Sequence, residues 1–178
     1  MKSNNELRKE YLKKRNELTI EEVLSLSKII EHKLYFVIHE YDTDNILCYY
    51  PLKKEVNLLG LYNILLDEGY NLYFPVVFRD GMRFYKANNM DEFSIGTFDV
   101  YEPDDRRFEF RSMEAFVITL GLVFDKDNNR VGYGMAYYDR FLRHNTQVTP
   151  VGVCFKFQVV DKVNATPLDV PVKRVITD

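Results

Sequence analysis

Residues 115–120 read AFVITL, six consecutive apolar or β-branched residues, and just beyond them Phe124–Leu142 reads FDKDNNRVGYGMAYYDRFL. The first run is too short for a helix and too uniformly apolar for a half-exposed strand, so it predicts a strand covered on both faces. The second opens as a turn carrying Gly132 and Gly134, then acquires the spacing of an amphipathic helix from Tyr137. Strand, glycine-containing loop and helix in that order form the repeating unit of an α/β sheet. Ligands of such sheets collect beyond the carboxyl ends of the strands, which makes the loop a candidate site.

The rest of the chain agrees with that architecture. Leu7, Tyr11, Leu12 and Leu18 form a narrow apolar face in Glu6–Leu18, predicting a first helix. Thr19 and Glu22 have the spacing of a capping box, so a second helix is expected from there to about His39. Asn45–Tyr50 predicts a buried strand stopped by Pro51, and Glu55–Glu68 returns to helical spacing with Gly69 at its end. Leu72–Phe78 and Met82–Tyr85 flank Gly81 as hairpin arms, and Asn88–Pro103 reads as an irregular connection with a few short pairings. Val151–Phe155 and Val172–Ile176 are the last expected strands. The alternation predicts one domain over residues 1–178, a Rossmann-like three-layer α/β/α fold with a mostly parallel, mixed sheet.

Composition narrows the function. A net charge of −3 argues against a general nucleic-acid binder, and no apolar run reaches the length of a membrane span. Cys48 and Cys154 are too few, in segments too apolar, for a disulfide framework or a metal site. The polar N-terminus lacks a signal-peptide core, so a reducing cytoplasm is the expected compartment, and a monomer is expected from size. Within Phe124–Leu142, backbone N–H groups around Gly132 and Gly134 suit a phosphate, Arg130 suits its charge, and Asp139 suits Mg²⁺. A structural Arg–Asp pair on a surface turn is the alternative, because a short G-x-G pattern has little specificity.

The same residues resemble the signature of the 5-formyltetrahydrofolate cyclo-ligase family, also called 5,10-methenyltetrahydrofolate synthetases, which runs approximately G-x-x-FD-x-x-x-x-R-x-G-x-G-x-G-YYD-x-x-L. Here Gly121, Phe124, Asp125, Arg130, Gly132, Gly134, Tyr137, Tyr138, Asp139 and Leu142 occupy it. Leu7-Arg8 is similar to the family's opening helix and Glu55-Val56 to its following acidic segment. Pro75-Val76-Val77, Met82-x-Phe84-Tyr85, Gly96 and Glu102-Pro103 resemble its middle region. Phe155-Lys156-x-Gln158, Pro167-x-Asp169 and Ile176-Thr177 resemble its last third, so the likeness covers nearly the whole chain.

The resemblance implies an ATP- and Mg²⁺-dependent conversion of 5-formyltetrahydrofolate into 5,10-methenyltetrahydrofolate. Arg130 and Tyr133 would be the catalytic residues. ATP would be held by Asn4, Arg8, Arg130, Gly132, Gly134, Ala136, Tyr137 and Tyr138. The folate would meet Tyr50, Glu55 and the loop Tyr133, Gly134, Met135, Ala136 and Tyr137. Asp139 and Asp169 would be the Mg²⁺ carboxylates, and Lys156 an accessory anion contact. His32, His39 and His144 lie outside every matched motif.

Four positions depart from the family pattern: Asn4 where a Lys is usual, Leu120 for a Pro, Leu168 for a polar residue, and Ala136 for the third loop glycine. If that last position needs positive φ, alanine there is strained by about 1 kcal/mol or more. Asn4 and Ala136 motivate an alternative, a diverged and weakly active member that binds folate or nucleotide. A sugar-phosphate or CoA-ester enzyme on a similar scaffold is a more distant reading.

Overall fold

The computed structural model describes residues 2–111 and 113–178. Its centre is a six-stranded sheet. Strands β1 (Asn45–Leu47), β2 (Asn71–Phe78), β3 (Gly81–Ala87), β6 (Ala115–Leu120), β9 (Val148–Val153) and β11 (Val175–Ile176) lie in the order β11-β9-β6-β1-β2-β3. All neighbours are parallel except the β2–β3 hairpin at one edge.

The two faces of the sheet are separately covered, as the uniform apolarity of β6 requires. Phe116 and Ile118 join Ile46, Phe74 and Val151 beneath helices α2 (Ile20–Ile38) and α3 (Leu59–Asp67), which contribute Ile30, Leu34, Leu61 and Leu65. Ala115 and Val117 face the opposite side with Leu47, Phe84 and Phe110, under Leu142 of α4 (Tyr137–His144). The expected mostly parallel three-layer arrangement is therefore observed. Helix α1 (Asn4–Glu17) instead packs Leu7 and Tyr11 on Leu122, Val123, Val131 and Val163. Those residues belong to or border a small second sheet of β7 (Val123–Asp125), β8 (Arg130–Val131) and β10 (Val159–Val160).

Both N-terminal helices begin on reciprocal caps. Thr19 and Glu22 form the expected box, and Ser3 with Glu6 forms a second one that starts α1 at Asn4 rather than Glu6. The third helix is shorter than its periodicity suggests. Residues 52–55 form a turn closed by Glu55 N–H donating to the Leu52 carbonyl at 2.8 Å, and the irregular stretch 56–58 follows, where the Tyr49 hydroxyl donates to the Val56 carbonyl at 2.6 Å. Asn57 Oδ1 then accepts from Leu59 N–H, and the helix starts there. Glu55 is thus a turn residue, not the acid of a helix N-terminus.

Strand β9 begins at Val148, ahead of the expected Val151, and contains Pro150. Pro150 is registered against Val117, and its carbonyl accepts from Lys173 N–H on the other side, so the missing N–H falls just ahead of β11 and not in the β6 ladder. The segment 88–103 holds a short hairpin of β4 (Phe93–Ile95) and β5 (Tyr101–Pro103). No helix among the described residues is long and apolar enough to cross a membrane. Cys48 and Cys154 are free and buried, and burial raises both thiols well above their ordinary value, which keeps them inert.

Candidate active site

The chain leaves β1 toward β2 on one side, while β6 lies on the other side of β1. The order reverses between β1 and β6, and the crevice beyond their carboxyl ends is where an α/β sheet offers room for a ligand. Two segments emerge there. The one after β1 carries Tyr50 and Glu55; the one after β6 carries the glycine loop.

The β7–β8 hairpin aims the loop. Asp125 is 1% exposed, and its Oδ1 accepts from the N–H groups of Asp127 and Asn129 while Oδ2 accepts from Val163 N–H. This carboxylate pins the hairpin and delivers Arg130 from β8. Arg130 is buried. Its Nη2 donates to Asp139 Oδ2 at 2.9 Å, and its guanidinium lies 5.3 Å from the Tyr138 ring centroid. Asp139 Oδ1 accepts from Val170 N–H at 3.1 Å, which brings the neighbouring Asp169 segment to the same place.

The glycines do different things. A Cβ on Gly132 would stand 2.7 Å from Arg130 Nη1, so glycine there permits close approach of the guanidinium. Gly134 has φ of +103°, which only glycine adopts readily. Arg8 of α1 closes the other side, with Nε donating to the Gly132 carbonyl at 2.8 Å. Two guanidinium groups therefore border one exposed loop. The N-terminus of α4 follows it with no side-chain cap, leaving its first N–H groups available to an anion.

Ala136 is the N-cap of α4, at φ 53° and ψ 26°. The position does take the left-handed conformation, so the alanine is strained. Ala136→Gly is expected to stabilise the protein by about 1 kcal/mol, raising Tm by about 2–4 °C. An unchanged melting temperature in a thermal scan would contradict this.

On the folate-expected side, Glu55 is buried. Oε1 accepts from the Tyr133 hydroxyl at 2.5 Å and Oε2 from Leu52 N–H at 2.8 Å. Burial, followed by the charge of Glu55, pushes the Tyr133 hydroxyl above the usual tyrosine value, so it remains a donor at neutral pH. Tyr50 packs its ring 5.0 Å from Phe93 and 4.8 Å from Tyr101, and Phe98 lies 6.4 Å from the Tyr137 ring. The β4–β5 hairpin, a short pairing of the kind expected within residues 88–103, thus also supplies aromatic surface to the site, a role the sequence pattern does not signal.

Arg8, Arg130, Gly132, Gly134, Tyr138 and Asp139 are brought together, as are Glu55 and Tyr133; Met135 is exposed on the same loop, where its carbonyl accepts from Arg140. Asn4 is engaged elsewhere, exchanging hydrogen bonds with the Asn164 backbone. Asp169 accepts from Thr166 N–H, and Lys156 is exposed on a short turn. Among the described residues no cluster of three or more His, Cys, Asp and Glu side chains forms. Mg²⁺ shared with a nucleotide needs only one or two carboxylates. Asp139 carries one protein donor on each carboxylate oxygen and Asp169 one on Oδ2, so oxygen lone pairs that suit such an ion remain on both side chains.

A model of the 5-formyltetrahydrofolate cyclo-ligase family matches residues 1–178. The chain belongs to this family. A 5-formyltetrahydrofolate cyclo-ligase of Mycoplasma pneumoniae is 30% identical over 177 residues, with 98% of each chain aligned. The solution structure of Aquifex aeolicus 5,10-methenyltetrahydrofolate synthetase superposes with a TM-score of 0.84 at 29% identity, covering 98% of this chain and 89% of that one. The Mycoplasma pneumoniae synthetase structure gives 0.79 at 28% identity over 99% of both chains. As a cyclo-ligase the chain is an enzyme, a ligase acting on a folate.

Proposed function

We propose that this cyclo-ligase closes 5-formyltetrahydrofolate to 5,10-methenyltetrahydrofolate at the expense of ATP, with Mg²⁺. The observation that carries the reading is the convergence of an anion-suited half and a carboxylate–aromatic half in one crevice, at the β1–β6 reversal. In the first half, Arg8, Arg130 and the N–H groups from Gly132 to Tyr138 hold the triphosphate. In the second, Glu55 accepts hydrogen bonds from the pterin amino and ring N–H groups. Tyr50 and the Tyr133–Tyr137 loop pack its flat surface.

The formyl oxygen attacks the γ-phosphorus and the bond to the departing ADP breaks. The N10 lone pair then attacks the formyl carbon, its carbon–oxygen bond breaks, phosphate leaves and N10 gives up its proton. The protein's work is positioning and charge compensation. Arg130, held in place by Asp139, faces the transferring group, and Tyr133 links the loop to Glu55. Asp139 and Asp169 would hold Mg²⁺, which supplies positive charge against the phosphate oxygens.

The deciding experiment follows methenyl absorbance when purified protein meets 5-formyltetrahydrofolate, ATP and Mg²⁺. Product that disappears without ATP or Mg²⁺ supports the proposal; tight folate binding with no product supports the weakly active alternative. Tyr133→Phe removes the donor to Glu55 and is expected to raise the KM for the folate about tenfold. The KM for ATP should stay unchanged, and an equal rise in both would reject the assignment of Tyr133 to the folate side.

A further inference from the structure

Helix α1 buries only Leu7, Tyr11 and Arg15, one every four residues, so its inward stripe ends in a charge where a leucine would complete the packing. Arg15 is 6% exposed, and its Nε has no hydrogen-bond partner. Its Nη1 stands 4.0 Å from Glu55 Oε1, and its guanidinium lies 5.8 Å from the Tyr133 ring centroid. A clamp holds the helix end to this turn: Lys54, next to Glu55, donates to the carbonyls of Asn16 and Leu18.

A buried guanidinium costs several kcal/mol of desolvation unless another group compensates it. Helix packing alone gives no reason to retain it, because an apolar residue would fill the same stripe without that cost. What Arg15 adds is positive charge beside a buried carboxylate, and a planar face beside the tyrosine that donates to that carboxylate. We propose that Arg15 is a positioning residue for substrate recognition. It holds Glu55 as a fixed acceptor for the donor edge of the pterin, and holds the Tyr133 end of the glycine loop against it. The inference rests on the assignment of Glu55 to the folate.

Steady-state kinetics of Arg15→Met, Glu55→Gln and the double variant test it. Arg15→Met is expected to raise the KM for 5-formyltetrahydrofolate about tenfold and leave the KM for ATP within about twofold. Glu55→Gln is expected to raise the folate KM at least as far, and the double variant to be no worse than Glu55→Gln alone, since both act through one carboxylate. Multiplied effects in the double variant, or a rise in the ATP KM in place of the folate KM, would overturn the role of Arg15. A folate KM unchanged in Glu55→Gln overturns the underlying assignment as well, whereas a raised one beside a neutral Arg15→Met overturns only this inference. If Arg15→Met does not fold, Arg15→Lys keeps the charge and loses the fork. The same cycle then applies to it, with the same non-additivity expected and multiplied effects counting against the proposal.

Discussion

Asp139→Asn is expected to lower kcat by about 10²–10³-fold and to reduce stability even when no nucleotide or metal is present. The two losses have separate origins. Turnover falls because Arg130 loses the partner that orients it and because one proposed Mg²⁺ carboxylate becomes an amide. Stability falls because Arg130 and Asp139 form a buried ion pair at 2.9 Å, and removing one charge strands the other at a cost of about 3 kcal/mol. For a chain of this size that corresponds to a Tm lower by about 6–12 °C. The double variant Arg130→Met/Asp139→Asn removes both charges, so it should regain much of the lost stability and none of the turnover. Near-native turnover in Asp139→Asn would reject the role in chemistry. An unchanged melting temperature would reject the role as the counter-charge of Arg130.

The second large effect belongs to Phe124, the aromatic half of the Phe-Asp pair that opens the loop. Its ring is fully buried, and it fills the space that side chains on two glycines would occupy. A Cβ on Gly152 would come within 2.5 Å of it and one on Gly121 within 2.7 Å. Phe124→Ala should therefore cost about 3–5 kcal/mol, the usual range for an emptied aromatic site, and lower Tm by about 6–20 °C. Gly152→Ala should cost about 1–3 kcal/mol by overpacking. Because the two alterations act on one space in opposite senses, combining Gly152→Ala with Phe124→Leu should cost less than the sum of the separate changes. Thermal melts of Gly152→Ala, Phe124→Leu and their combination check this, and strict additivity would mean that the ring and the glycine do not share that space.

Local signals were the most legible part of the fold. Thr19 and Glu22 announce a helix start within one turn, and AFVITL announces a strand because nothing polar interrupts it. Gly132 and Gly134 mark the loop without distinguishing close approach from positive φ, a distinction that depends on where Arg130 comes to rest. Arg15 is harder to read. On a helix crowded with lysines and arginines its burial follows from Glu55 lying across from it, and no periodicity encodes that. Glu55 itself scans as a helical acid, yet a turn closes through Leu52 and Tyr49 because side-chain hydrogen bonds outweigh a weak helical preference. The two-residue strands β8 and β10 have no sequence signature at all, since their ladders exist only once Asp125 has pinned the hairpin to Val163.

Helix α1 lies upstream of all its anchors and is among the last elements to find its place. Its anchors are Glu55, the Gly132 carbonyl 124 residues downstream of Arg8, and Asn164, 160 residues downstream of Asn4. Contacts of such long separation close late, because the entropy of the intervening loop is lost before any contact repays it. On the ribosome, Arg8 therefore waits for the glycine loop to emerge, whereas Glu55, the partner of Arg15, emerges earlier. A nascent cyclo-ligase becomes competent only after the glycine loop and Asn164 have emerged.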